Sequence, residues 1–124
     1  MRRVRRGSLS VAYSLGLILV LALTGACSGG GGSDCTSQNA AKLTGTLEIK
    51  DFSFNPSCIT VASGSTISLS NSDPRGHTFT VKGTDVDVTV AYNGGTAKAT
   101  APAAGRYDFY CRLHPEMTGT IIVT

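Results

Sequence analysis

The sequence predicts an all-β fold, a sandwich or barrel of short strands, and three observations predict it. Apolar and polar side chains alternate at period two in several windows, the pattern of a half-buried strand. Gly, Pro, Asn and Ser clusters punctuate those windows at regular intervals. No window beyond the N-terminal region sustains the 3.6-residue period of an amphipathic helix. At 124 residues the chain has room for one domain, and about 80 residues of sandwich make a small but adequate core.

The elements follow in order. Thr44 to Lys50 alternates, with Leu47 and Ile49 on one face and Glu48 and Lys50 on the other; Phe52 and Phe54 continue the period. Asn55-Pro56-Ser57 is a turn, Cys58 to Val61 a short strand, and Ser63-Gly64-Ser65 its end. Thr66 to Ser70 alternates again and stops at Asn71-Ser72-Asp73-Pro74-Arg75-Gly76. His77 to Val81 is a strand with Phe79 and Val81 in phase, and Val86, Val88 and Val90 mark another. Thr96 to Thr100 is a polar strand, followed by a turn over Ala101 to Gly105. Arg106 to Tyr110 and 118–123 are the last two strands. With no tryptophan present, Phe52, Phe54, Phe79 and Phe109 are expected to form the aromatic part of the core.

The N-terminal region has a different character. Met1 to Arg6 is basic, and Leu9 to Leu23 is apolar but too short and wrongly flanked for a stable transmembrane span. Residues 1–26 therefore read as a signal peptide. The adjacent arginine pairs raise a twin-arginine route beside the general one, although Ser8 interrupts the apolar run. The stretch Leu23-Thr24-Gly25-Ala26-Cys27 resembles a bacterial lipobox, and Gly29 to Ser33 follows it as a flexible tether. Lipidation at Cys27, with 27–43 as tether and N-terminal segment and 44–124 as the domain, is the expectation; ordinary cleavage, with Cys27 incidental, is the alternative.

Four of the eleven basic residues lie in the first six positions, so the formal charge of +3 belongs to the leader. Beyond Cys27 seven basic and eight acidic residues remain, a net charge of −1. A near-neutral domain gives no argument for nucleic acid or an anionic surface as partner. The chain is expected to be exported, to the periplasm or the extracytoplasmic face of the membrane, and to be a monomer.

The chemistry sits near the end, in Cys111-Arg112-Leu113-His114-Pro115-Glu116-Met117. A thiol, an imidazole and a thioether follow at three-residue steps, just ahead of an apolar strand. Cys, His and Met form a soft donor set suited to copper cycling between Cu(I) and Cu(II), and two His and one Cys with a weak axial Met is the blue-copper arrangement. The second imidazole must be His77, the chain's other histidine. Each residue alone has an ordinary explanation, as core filler or surface group; their spacing together points to metal. If Cys27 carries lipid and Cys111 copper, Cys35 and Cys58 remain, and an oxidising compartment would pair them.

Three stretches carry a family resemblance. They are Phe54-x-Pro56-x-x-Ile59-x-Val61-x-x-Gly64, Asn71-x-Asp73 with His77-Thr78, and Gly105-x-Tyr107-x-Phe109-x-Cys111-x-x-His114-Pro115-x-Met117-x-Gly119. Over residues 44–124 the chain resembles the cupredoxins, in particular the plastocyanin and amicyanin group of small blue copper proteins, with the short ligand loop of amicyanin. The resemblance implies an eight-stranded Greek-key β-sandwich with one copper ion near one end. It implies His77, Cys111 and His114 as equatorial ligands and Met117 as the axial one. It implies a backbone N–H from Thr78 to the Cys111 sulfur, a side-chain tie from Thr78 to the ligand loop, and His114 as the electron's exit in an apolar rim with Leu113 and Pro115.

The expected function is single-electron transfer between a redox donor protein and an acceptor protein, without bond-making catalysis. A copper carrier or buffer that hands on the metal is the alternative from another class. Structural zinc is disfavoured because thioether is a poor zinc ligand. A binuclear copper centre would need a second cysteine in the loop, and a copper oxidase would need a second metal site and more chain.

Overall fold

A computed structural model describes residues 34–124. The expected signal peptide, Cys27 and the Gly29 to Ser33 tether lie outside the described residues. Among the described residues there is no helix, and ten strands form two sheets. The strands are β1 (Ala41–Lys42), β2 (Thr46–Lys50), β3 (Ser53–Asn55), β4 (Cys58–Val61), β5 (Thr66–Asn71), β6 (His77–Val81), β7 (Asp87–Val90), β8 (Gly95–Thr100), β9 (Gly105–Tyr110) and β10 (Thr118–Val123). One sheet has the order β1-β4-β10-β9-β6-β7 and the other β3-β2-β5-β8. The β4–β10 and β2–β5 pairs are parallel, so these neighbours are joined through the opposite sheet rather than by hairpins.

The alternation in the sequence translates directly into burial. Leu47 and Ile49 of β2, Ile67 and Leu69 of β5, and Ile59 of β4 are sealed from solvent, while Glu48 and Lys50 face outward to differing degrees. Between the sheets, Phe109 packs 5.0 Å from both Phe54 and Phe79. The Phe54 pair is edge-on, a favoured aromatic geometry that adds to the area buried. β6 is the exception to half-burial, because all five of its residues are buried. It lies between β7 and β9, and its outward-facing threonines, Thr78 and Thr80, are covered by other polar groups.

Two departures from the eight-strand expectation have local causes. β1 adds a short parallel rung to β4, and a disulfide joins Cys35 to Cys58, the first residue of β4. The run from Thr46 to Phe54 does not continue as one strand. It folds back at Asp51-Phe52, both in the left-handed region at φ 53° and 56°, so β3 pairs antiparallel with β2. Positive φ at both central residues is the two-residue hairpin of the primed type, which normally calls for Asn-Gly. Pro56-Ser57 then carries the chain from one sheet to the other.

Phe52 is accordingly not a core residue. The turn points it out of the sandwich, where it is 42% exposed. The other three phenylalanines are buried as expected, and Phe52 lies over His77 and His114 instead.

Candidate metal centre

His77 is the first residue of β6, and Cys111 directly follows β9. Residues 111–117 form the loop into β10. That loop is closed on itself: Cys111 N–H donates to Met117 O at 3.0 Å and Met117 N–H to His114 O at 2.9 Å. One strand start and one strand end thus fix His77 and Cys111, and a hydrogen-bonded loop carries His114 back toward them. His77, Cys111 and Met117 are buried, and His114 is part-exposed at the rim.

His77 Nδ1, His114 Nδ1 and Cys111 Sγ converge. The sulfur is 3.8 Å from His77 Nδ1 and 3.7 Å from His114 Nδ1, and the two nitrogens are 3.1 Å apart. Three donors bound at about 2.0–2.3 Å to one centre, at trigonal angles, lie about 3.5–4 Å apart, so the observed spacing suits a single ion with the nitrogens somewhat closer together. Two facing imidazole nitrogens at this range need a proton or a cation between them. The residues present fit copper: a thiolate, two imidazoles and a buried thioether in the same loop.

Surrounding hydrogen bonds hold each donor. The carboxylate of Asp73 accepts from His77 Nε2–H at 2.9 Å. A carboxylate can only accept, so the proton sits on Nε2 and the Nδ1 lone pair faces the sulfur and His114. Asp73 itself is 4% exposed and also accepts Asp51 N–H at 2.7 Å and Phe52 N–H at 2.9 Å. Burial acts to raise its pKa, but the Phe52 and Asp51 amides and His77 outweigh that and hold it below the usual carboxylate range. Asn71, fully buried, accepts Asp73 N–H at 2.9 Å and donates to Arg75 O at 2.8 Å and Ala91 O at 3.0 Å, bracing the turn that delivers His77.

On the cysteine side, Thr78 N–H points at Cys111 Sγ at 3.3 Å, and Thr78 Oγ1 accepts Arg112 N–H at 2.8 Å. Both Thr78 contacts implied by the family resemblance are present. Thr78 Oγ1 lies 3.1 Å from Thr80 Oγ1, which donates to Asp87 Oδ1 at 2.8 Å. Arg112 Nε–H donates to the same oxygen at 3.0 Å. The Arg112 and Thr80 hydrogen bonds lower the Asp87 pKa.

Comparison with known proteins agrees with this geometry. The model of the cupredoxin-like domain family matches residues 15–123. The chain belongs to the cupredoxin-like family. Among solved structures, this cupredoxin resembles a reduced Cu(I) form, at pH 4, of an amicyanin proline-to-glycine variant. The TM-score is 0.54 at 21% identity, over 72% of this chain and 86% of that one. An oxidised proline-to-alanine variant of amicyanin matches with TM-score 0.54 at 20% identity, over the same shares of the two chains. A reduced tryptophan-to-tyrosine variant gives 0.53 at 20%. These likenesses show the fold. No curated protein sequence matches the chain. Family and donor set together make one copper ion the cofactor, with His77, Cys111 and His114 converging and the buried Met117 in the same loop.

Sequence reasoning missed the roles of Asp73 and Phe52. Asp73 stood in the quoted motif, four residues before His77, and that spacing was the available signal. Nothing near Phe52 marks it, because its position depends on a carboxylate 21 residues away.

Proposed function

We propose that this cupredoxin carries single electrons between a donor protein and an acceptor protein on the extracytoplasmic side of the cell. The observation that carries the reading is the convergence of Cys111 Sγ with two imidazole Nδ1 atoms, two of the three residues being fully buried, on rigid strand ends. Copper, when bound, supplies a one-electron Cu(II)/Cu(I) couple and an intense thiolate charge-transfer absorption.

The chain's own residues do the rest. His77, Cys111 and His114 would hold the ion through two imidazole nitrogens and a thiolate, and Met117 would offer a weak thioether donor. The strand ends and the closed loop resist rearrangement, so little has to move when the charge changes. The Thr78 N–H withdraws negative charge from the sulfur and thereby favours the reduced state. His114, at the surface, is the exit for the electron. Phe52, 5.0 Å from its ring centre, joins exposed Leu113 and Pro115 in the apolar rim where a partner would seat. Enclosure of the thiolate favours electron transfer over handing the metal on, which needs an open site.

Export and a lipid anchor at Cys27 belong to the same proposal, supported by the basic and apolar leader, the Gly/Ser tether and a disulfide that suits an oxidising compartment. Loading the purified protein with Cu(II) should give a strong blue absorption that bleaches on reduction and returns on oxidation. Cys111→Ser should fold and remain colourless, because a hydroxyl cannot supply that band. A colourless wild type, or a blue variant, overturns the assignment.

A further inference from the structure

Asp73 does more than a tautomer requires. A neutral backbone carbonyl would hold the proton on His77 Nε2 equally well. This site uses a carboxylate, almost sealed from water, at 2.9 Å. Among the described residues no Lys or Arg pairs with it, and the only ion-pairing partner is the His77 ring. Its remaining bonds are the two amides of the Asp51-Phe52 turn, which share the charge without cancelling it. A negative charge in a place largely closed to water would therefore act on a bound ion through one ligand.

We propose that Asp73 is the positioning residue that sets the preference of this site for Cu(II) over Cu(I). An anionic acceptor makes the imidazole a stronger donor and adds a charge that interacts more favourably with a doubly than with a singly charged ion. The same carboxylate holds the turn that lays Phe52 against both imidazole rings. Ligand orientation, ligand charge and the cover of the site thus share one residue. The inference rests on the copper reading above.

The test compares full-chain wild type, Asp73→Asn and Phe52→Ala. The readouts are competition affinities for Cu(II) and Cu(I), the reduction potential, and the nitrogen and proton NMR signals of His77 in the metal-free protein. In the wild type, the Nε2–H signal should be present, shifted far downfield and slow to exchange; a proton on Nδ1 would overturn the proposal without any variant being needed. In Asp73→Asn the signal should move upfield. Cu(II) affinity should fall about 10- to 100-fold, the usual range for loss of such a partner. Cu(I) affinity should fall less, so the potential rises by about 59 mV for each tenfold difference between the two losses. Phe52→Ala removes the ring that lies over His77, so the His77 signals should shift with the lost ring current, but the proton should stay on Nε2 and the Cu(II)-to-Cu(I) affinity ratio should change much less than in Asp73→Asn. Equal losses for both ions with an unchanged potential would make Asp73 merely structural and overturn the proposal, as would a Phe52→Ala variant that reproduces the whole shift in potential. A wild type without the blue band would sink the electron-transfer reading, while the affinity ratio in Asp73→Asn would still decide the role of Asp73.

Discussion

Thr78 shows how much one residue beside a ligand can organise. Its N–H is committed to the Cys111 sulfur, and its hydroxyl accepts from Arg112 N–H and donates onward to Thr80. Thr80 donates to Asp87, and Asp87 accepts the Arg112 side chain, so the chain of bonds begins and ends on Arg112. The ligand loop is clamped to β6 and β7 through this ring. Thr78→Val keeps the β-branched shape and the amide but removes the hydroxyl. Arg112 N–H then loses its acceptor in a part-buried place, which costs about 1–3 kcal/mol. Denaturant titration should show that loss, while the blue band, which depends on the retained amide and thiolate, should persist.

At the scale of the element, β10 is held to β9 by a full antiparallel register that places Gly119 opposite Phe109. A Cβ on Gly119 would run into Phe109 Cζ and lie 2.6 Å from Ser57 O. Phe109 cannot yield, because it is fully buried between Phe54 and Phe79. Gly119→Ala should therefore lower stability by about 1–3 kcal/mol, the usual cost of overpacking, or more if the strand shifts. Because Met117 lies two residues earlier, a shift in β10 would also disturb the ligand loop. A stability equal to wild type in denaturant titration would contradict this packing. The β2–β3 hairpin works by different means. Two side-chain-bearing residues at positive φ are each uncomfortable, and the Asp73 carboxylate offsets that by accepting both of their amides.

For the molecule as a whole, the Cys35–Cys58 bridge ties the segment ahead of β1 to the start of β4 in the larger sheet across a separation of 23 residues. On the chain-entropy model a loop of that length is worth about 3 kcal/mol. The Cys35→Ser, Cys58→Ser double variant should lose a comparable amount in denaturant titration, and reductant should affect the wild type but not the variant. Acid sensitivity has an identifiable contributor in Asp87. Its folded pKa is depressed, so its stabilising effect is present above the ordinary aspartate value of about 3.9 and is lost as pH falls through the folded value. The stability gap between wild type and Asp87→Asn should be constant near neutrality and close below about pH 4. Asp87 and Arg112 are both well exposed, so the gap should also shrink with added salt.

Much of this was legible in the chain. Period-two alternation marks β2, β5 and β9 because each has one face on the core and one toward water, and local pattern alone encodes that. The ligand loop is legible for the same reason: Cys111, His114 and Met117 are consecutive in one short segment, and with two histidines in the chain His77 follows by count. The rest depends on residues far apart in sequence. Phe52 reads as a core position until the turn at Asp51-Phe52 reverses the strand, and that turn is held by Asp73 from the other side of β5. The burial of Thr78 and Thr80 follows from what lies across β6, and the partner of the His77 imidazole follows from how the 71–76 turn folds. Side-chain periodicity records which way a residue faces along its own strand. It holds no record of which distant carboxylate or hydroxyl will meet it, because that is decided only when the two sheets close on each other.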